Sequence, residues 1–113
     1  MTLSTVEILQ QAKALTLAHP CRLVMALDSE GDETYSTSPY AACWCSHGAC
    51  LKVGAGFPGN TTDARKLISD AAKELGKASA VDLNDYWPEL IPAMFDRAIE
   101  MAKERDLSTS EGR

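Results

Sequence analysis

The sequence predicts a mainly α fold, a single small domain of about four helices that also has room for a short two-stranded β-ribbon. Three observations carry that expectation. Apolar residues recur at the three- and four-residue spacing of a helix face in well-separated segments, and most of those segments open on a residue able to cap them. A length of 113 residues suffices for one modest core and leaves no room for a second domain. In this reading 1–106 form the domain and 107–113 a flexible C-terminal tail.

Taken in order, Ser4-Thr5-Val6-Glu7 matches a capping box, so a helix should start at Thr5. Ile8, Leu9, Ala12, Leu15 and Ala18 continue it on one face until Pro20 disfavours helical geometry at His19. Arg22–Leu27 is an apolar run that suits either a strand or a buried helical turn. Read as a strand, it would pair with Thr34–Thr37 across the turn at Asp28–Glu33. Ser38-Pro39 is a good helix start, and the next helix is expected from Pro39 to Val53, ending at the glycine-rich Gly54–Asn60 loop. Thr61 or Thr62 should cap a third helix bearing Ala64, Leu67, Ile68, Ala71 and Leu75, with Gly76 closing it. The segment from Lys77 to Tyr86 reads as a structured loop, because Asp82, Asn84 and Asp85 bond their own backbone and resist helix. A last helix opens near Pro88, with Pro92 as its irregular point, and turns Leu90, Ile91, Met94, Phe95, Ala98, Ile99 and Ala102 inward.

Eleven Lys and Arg against sixteen Asp and Glu give a net charge of -5, which opposes approach to a polyphosphate backbone. Direct nucleic-acid binding is therefore disfavoured. No stretch approaches the roughly 18 consecutive apolar residues that span a bilayer, and the N-terminus lacks the pattern of a secretion signal. The expectation is a cytoplasmic protein without a membrane role. Its densest acidic run is Asp28, Glu30, Asp32 and Glu33, and a loop of that charge suits a basic partner surface.

The chemistry-bearing residues concentrate between Cys43 and Cys50. On a helix from Pro39 to Val53, Cys43, His47 and Cys50 share a sector and Cys45 points the opposite way. Thiolate and imidazole are preferred zinc ligands, which makes Cys21, Cys43, His47 and Cys50 a candidate set. Yet Cys43 and Cys50 would lie about 10 Å apart along the axis, so this helix could offer two ligands to one ion, not four. The expectation is four reduced thiols and no cofactor, with zinc as the alternative. Nucleophilic catalysis would need a later helix start, near Cys45. Cys45 would then be the nucleophile, His47 or His19 the base, and Asp85 or Asn84 the group that orients it. Ser38-Pro39 favours the earlier start, so no catalytic set is expected.

Trp44-Cys45-Ser46-His47-Gly48-Ala49, an Ala/Leu helix, Asn84-Asp85 and a closing helix with Arg97-Ala98-Ile99 together resemble a family of small uncharacterised bacterial and phage proteins. In that family a Cys-x-x-Gly-Ala segment precedes an Asn-Asp loop. The resemblance spans most of the chain, and Cys43 and Cys50 depart from its pattern. It implies no activity and no catalytic residues, but it does imply a mobile-element accessory protein. The leading expectation is thus a non-enzymatic module that binds and modulates a host protein, such as a defence component, through Asp28, Glu30, Asp32 and Glu33. A small zinc-binding domain and a Cys45-dependent hydrolase or transferase are the alternatives. A homodimer is compatible with all three.

Overall fold

The computed structural model describes residues 2–111. Helix α1 (Thr5–Ala18) starts at the expected capping box: the Ser4 hydroxyl accepts from the Glu7 N–H at 3.1 Å, and the Glu7 carboxylate accepts from the Ser4 N–H at 3.0 Å. It stops at His19, one residue before Pro20. Strand β1 (Ala26–Asp28) follows and pairs antiparallel with β2 (Ala41–Trp44), with Ala26 opposite Trp44 and Leu27 opposite Cys43.

This pairing corrects two expectations. The ribbon's second strand is not Thr34–Thr37, which meets β1 only where Glu33 bridges Leu27 and the Thr34 N–H donates to the Ala26 carbonyl. Nor does a helix run from Pro39. The Ser38 hydroxyl caps its own turn, accepting from the Tyr40 N–H at 3.1 Å, and the next four residues satisfy their backbone as strand. Helix α2 (Ser46–Val53) therefore begins late, with Cys45 at its N-cap and Cys43 outside it.

Helix α3 (Pro58–Glu74) also starts differently, with Pro58 at its first turn and no side-chain cap. Thr61, expected as a cap, instead donates its hydroxyl to the Gly54 carbonyl at 2.8 Å. After α3 the chain turns at Gly76, whose φ of +83° lies in the left-handed region glycine tolerates. The segment from Lys77 to Tyr86 is not a loop throughout. It contains helix α4 (Ala80–Tyr86), capped by the Ser79 hydroxyl accepting from the Asp82 N–H. A 3-10 turn (Pro88–Leu90) then leads into α5 (Ile91–Glu111). The backbone of 107–111, expected as a tail, continues α5, because Lys103–Arg105 carry the helix forward and no Gly or Pro interrupts it before Gly112. Gly112 and Arg113 lie outside the described residues.

The protein is mainly helical with one small antiparallel sheet, in a single domain. Helices α1, α3 and α5 pack against one another, α2 lies on α1, and α4 docks between α2 and α3. Their shared core holds Ile8, Leu9, Ile68, Leu83, Met94 and Phe95, each fully buried, while Ala12, Ala64, Ala71 and Ala98 let the helix axes approach closely. Asp63 ties the bundle at its edge, accepting from the Thr5 hydroxyl and from Arg105. No helix among the described residues is long and apolar enough to cross a membrane.

Gly48 marks the tightest approach. A methyl group there would run into the Met25 carbonyl, whose oxygen already accepts from the Cys45 N–H at 3.0 Å. Gly48→Ala should destabilise the fold by about 3 kcal/mol despite alanine's better helix propensity. Urea unfolding measures this, and an unchanged midpoint would show that the Met25 segment does not pack there.

Candidate functional site

The late start of α2 gathers Cys45, His47, Asn84 and Asp85 at one cleft, which is completed by Leu23, Val24, Met25, Ala80 and Val81. Its volume is about 140 Å³, close to that of a cavity able to hold one benzene-sized group. Helix α4 supplies the Asn-Asp pair because its buried face carries Ala80, Leu83, Asn84 and Asp85 inward, towards the N-terminus of α2.

Asn84 is fully engaged. Its carbonyl oxygen accepts from the Ser46 N–H at 2.9 Å and from the Ser46 hydroxyl at 2.7 Å. Its amide donates to the Cys21 carbonyl at 3.0 Å and to the Asp85 carboxylate at 3.2 Å. Two acceptor and two donor positions are all that a carboxamide has. The same Asp85 oxygen accepts from the Leu23 N–H at 2.8 Å. Leu23 is the chain's one described non-glycine residue at positive φ, +70°, and its side chain is 64 % exposed. A left-handed leucine costs about 1–2 kcal/mol, so the buried carboxylate holds a strained corner in place.

Cys45 caps α2 with sulfur. Its Sγ accepts from the Gly48 N–H at 3.3 Å, while Asn84 takes the Ser46 N–H. The Ser46 and Gly48 N–H groups at the first turn of α2 thus have internal partners. Burial raises the Cys45 thiol above its ordinary pKa, opposed by the nearby Gly48 and His47 N–H groups and reinforced by Asp85. His47 is held from the other side by α3. Arg65 on α3 donates Nε–H to His47 Nδ1 at 3.2 Å, and burial, followed by the guanidinium charge, lowers the imidazole to a pKa of about 4. His19 lies elsewhere, edge-on to Trp44 with ring centroids 6.2 Å apart.

The zinc candidates are not gathered either. Cys50 is fully buried in the core face of α2, while Cys21 lies in the segment after α1 and Cys43 in β2, and none of the three lines the cleft that His47 borders. Among the described residues no three His, Cys, Asp or Glu side chains are grouped to hold a metal ion. The separation of Cys43 from α2 is the cause, since the shared helix face required a continuous helix.

The acidic run forms a tight turn at the end of β1. Asp28 is half-buried and its carboxylate accepts from the Glu30 and Asp32 N–H groups, whereas Glu30, Asp32 and Glu33 point to solvent. Met25 joins it to the cleft, since it lines both the cleft and a shallow depression bordered by Glu33, Tyr35 and Leu51. No family model, curated protein or solved structure matches the chain.

Sequence reasoning singled out Cys45, His47 and Asp85, and the fold does bring them to one cleft. It missed Leu23, Val81 and Arg65. Leucine at positive φ has no sequence signature, and the Arg65–His47 bond joins two helices 18 residues apart.

Two outcomes follow from these bonds. Asn84→Ala leaves the Ser46 and Cys21 groups without partners and should cost about 2–4 kcal/mol in denaturant unfolding, more than Asp82→Ala on the same helix. His47 is neutral in the fold down to about pH 4 but titrates near 6.5 when unfolded, so the unfolded chain binds more protons between those values. Stability should therefore decline as pH falls from about 6.5 to about 4, and His47→Gln should flatten that decline.

Proposed function

We propose that this chain is a non-enzymatic, cytoplasmic binding module that engages a protein partner through the Leu23 corner and its cleft. One observation carries the reading: an exposed leucine is held in a strained backbone conformation by a buried carboxylate, beside a cleft sized for one apolar group. Strain maintained at a solvent-facing apolar side chain serves recognition better than stability. Met25 and Val81, 39 % and 51 % exposed, extend the apolar rim.

The partner suited to this surface places an apolar side chain in the cleft and basic residues against Glu30, Asp32 and Glu33. The net charge of -5 adds long-range attraction to such a surface. The resemblance to bacterial and phage accessory proteins supports a host regulatory or defence component as the partner class. The late start of α2 favours a cysteine hydrolase or transferase more than the sequence did. That reading lacks a free base for Cys45, because His47 Nδ1 is bonded to Arg65 and the Asp85 oxygen to Leu23 and Asn84. A zinc domain has less support still, since its four candidate ligands are dispersed.

Leu23→Gly separates binding from folding. Glycine adopts φ +70° freely, so the variant should be at least as stable as the parent, yet it lacks the apolar contact. Affinity capture from the host should recover a discrete partner with the parent chain. Recovery should drop at least tenfold with Leu23→Gly and with a Glu30→Lys, Asp32→Lys, Glu33→Lys triple variant, which spares the Asp28 that shapes the turn. Equal recovery with all three chains would remove this surface from the interaction.

A further inference from the structure

Asp85 and His47 each keep one polar atom that the fold does not use. Oδ1 of Asp85 takes both the Leu23 N–H and the Asn84 amide, and Oδ2 bonds no group among the described residues. Arg65 can only donate, so His47 Nδ1 is the acceptor of their bond and the ring hydrogen stands on Nε2, which is likewise without a partner there. The two residues are 7 % and 8 % exposed, yet neither atom is shut away: among the described residues the enclosed side-chain polar atom that lacks a hydrogen bond is Ser36 Oγ. Both residues border the cleft, so the little surface they retain opens on it, within a lining that is otherwise mostly apolar. Arg65 holds the hydrogen on Nε2 without bordering the cleft itself.

The helix ends beside these atoms carry the same polarity. Asp85 stands in the last turn of α4, a helix without a basic residue, where unpaired carbonyls add partial negative charge. His47 stands in the first turn of α2, where the backbone adds partial positive charge. A ligand that fits must therefore bring a cation to one side, an acceptor to the other and an apolar group of roughly benzene size between them. An interior stretch of peptide has no backbone cation for Asp85. A lysine or arginine side chain carries its charge at the tip of the group that would fill the cleft, where apolar walls would strip it of water. The first residue of a chain joins an ammonium, a carbonyl and a side chain at a single carbon, and its amine, with an ordinary pKa of about 8, is a cation at neutral pH.

We propose that the cleft recognises the N-terminal residue of the partner, with the α-ammonium on Asp85 Oδ2, the first carbonyl accepting from His47 Nε2–H, and an apolar side chain in the cleft. The inference rests on the cleft as the partner's docking point and adds which part of the partner enters it. A free apolar amino acid offers the same ammonium and side chain, but its carboxylate brings a negative charge to a protein of net charge -5, whereas a peptide's first carbonyl is neutral.

The test uses the full-length protein and the peptide Phe-Gly-Ser-Gly-Ser, labelled at its C-terminal end and followed by fluorescence anisotropy. The peptide with a free N-terminus should bind, and acetylation of that nitrogen, which removes its charge, should weaken binding about tenfold or more. Serine in place of the first phenylalanine should weaken it similarly, since nothing then fills the cleft. Asp85→Asn keeps an oxygen for Leu23 and Asn84 and removes the charged acceptor, so it should bind the free and acetylated peptides equally weakly. Urea unfolding verifies that the variant is folded, and the acetylation comparison on the parent chain decides the matter if it is not. Equal binding of the free and acetylated peptides to the parent would overturn the N-terminal assignment while leaving the cleft as a docking point for an apolar side chain. Free phenylalanine competing as strongly as the peptide would overturn it in favour of an amino-acid site. No binding up to about 1 mM peptide would overturn it as well. Capture of a partner that depends on Leu23 separates any of these failures from failure of the wider reading.

Discussion

One carboxamide organises the half of this protein that carries the cleft. Asn84 uses its four hydrogen-bonding positions on three separate stretches of chain: the start of α2, the backbone after α1, and the neighbouring Asp85. The partial satisfaction of such a buried group is costly, so the three stretches can occupy only an arrangement that meets all four bonds together. Asp85 passes the constraint on to Leu23, and the Ser46 bonds pass it on to Cys45. The cleft is what remains between those fixed points.

The chemistry of the cleft follows from where its polar atoms are spent. Cys45 sulfur serves the α2 backbone, His47 Nδ1 serves Arg65, and the Asp85 oxygen serves Leu23 and Asn84. Nucleophile, base and orienting acid are present by residue type and adjacent in space, yet one polar atom of each is spent on holding the fold. What these bonds fix at the cleft is its shape and its largely apolar lining. This distinction between the presence of catalytic residue types and their availability cannot be read from spacing.

Local signals in the sequence carried as far as local interactions decide the structure. The capping box at Ser4 and the stop before Pro20 bound α1 in both sequence and fold, because each depends on residues at most four apart. The failures are tertiary. Ser38-Pro39 is a sound helix start in isolation, but pairing of Ala41–Trp44 with β1 satisfies more backbone and moves the start to Cys45. Cysteine is not among the usual cap residues, so that start carried no signal. In α4 the residues that discourage helix, Asn84 and Asp85, are the ones whose buried partners pull the segment into one. The site was legible as a set of residue types, and its rim was not, since Leu23 owes its conformation to a carboxylate 62 residues away.

The sequence separation of these bonds also sets an order of assembly. Asn84 reaches across 38 residues to Ser46 and 63 to Cys21, so the loops that must close are among the longest in the chain. Helix α1 can form as soon as it is synthesised, whereas the Leu23 corner has no anchor until Asp85 has left the ribosome. The cleft thus takes shape only when most of the chain has been made, so a chain shortened before α4 has the residues of its rim without the geometry that holds them.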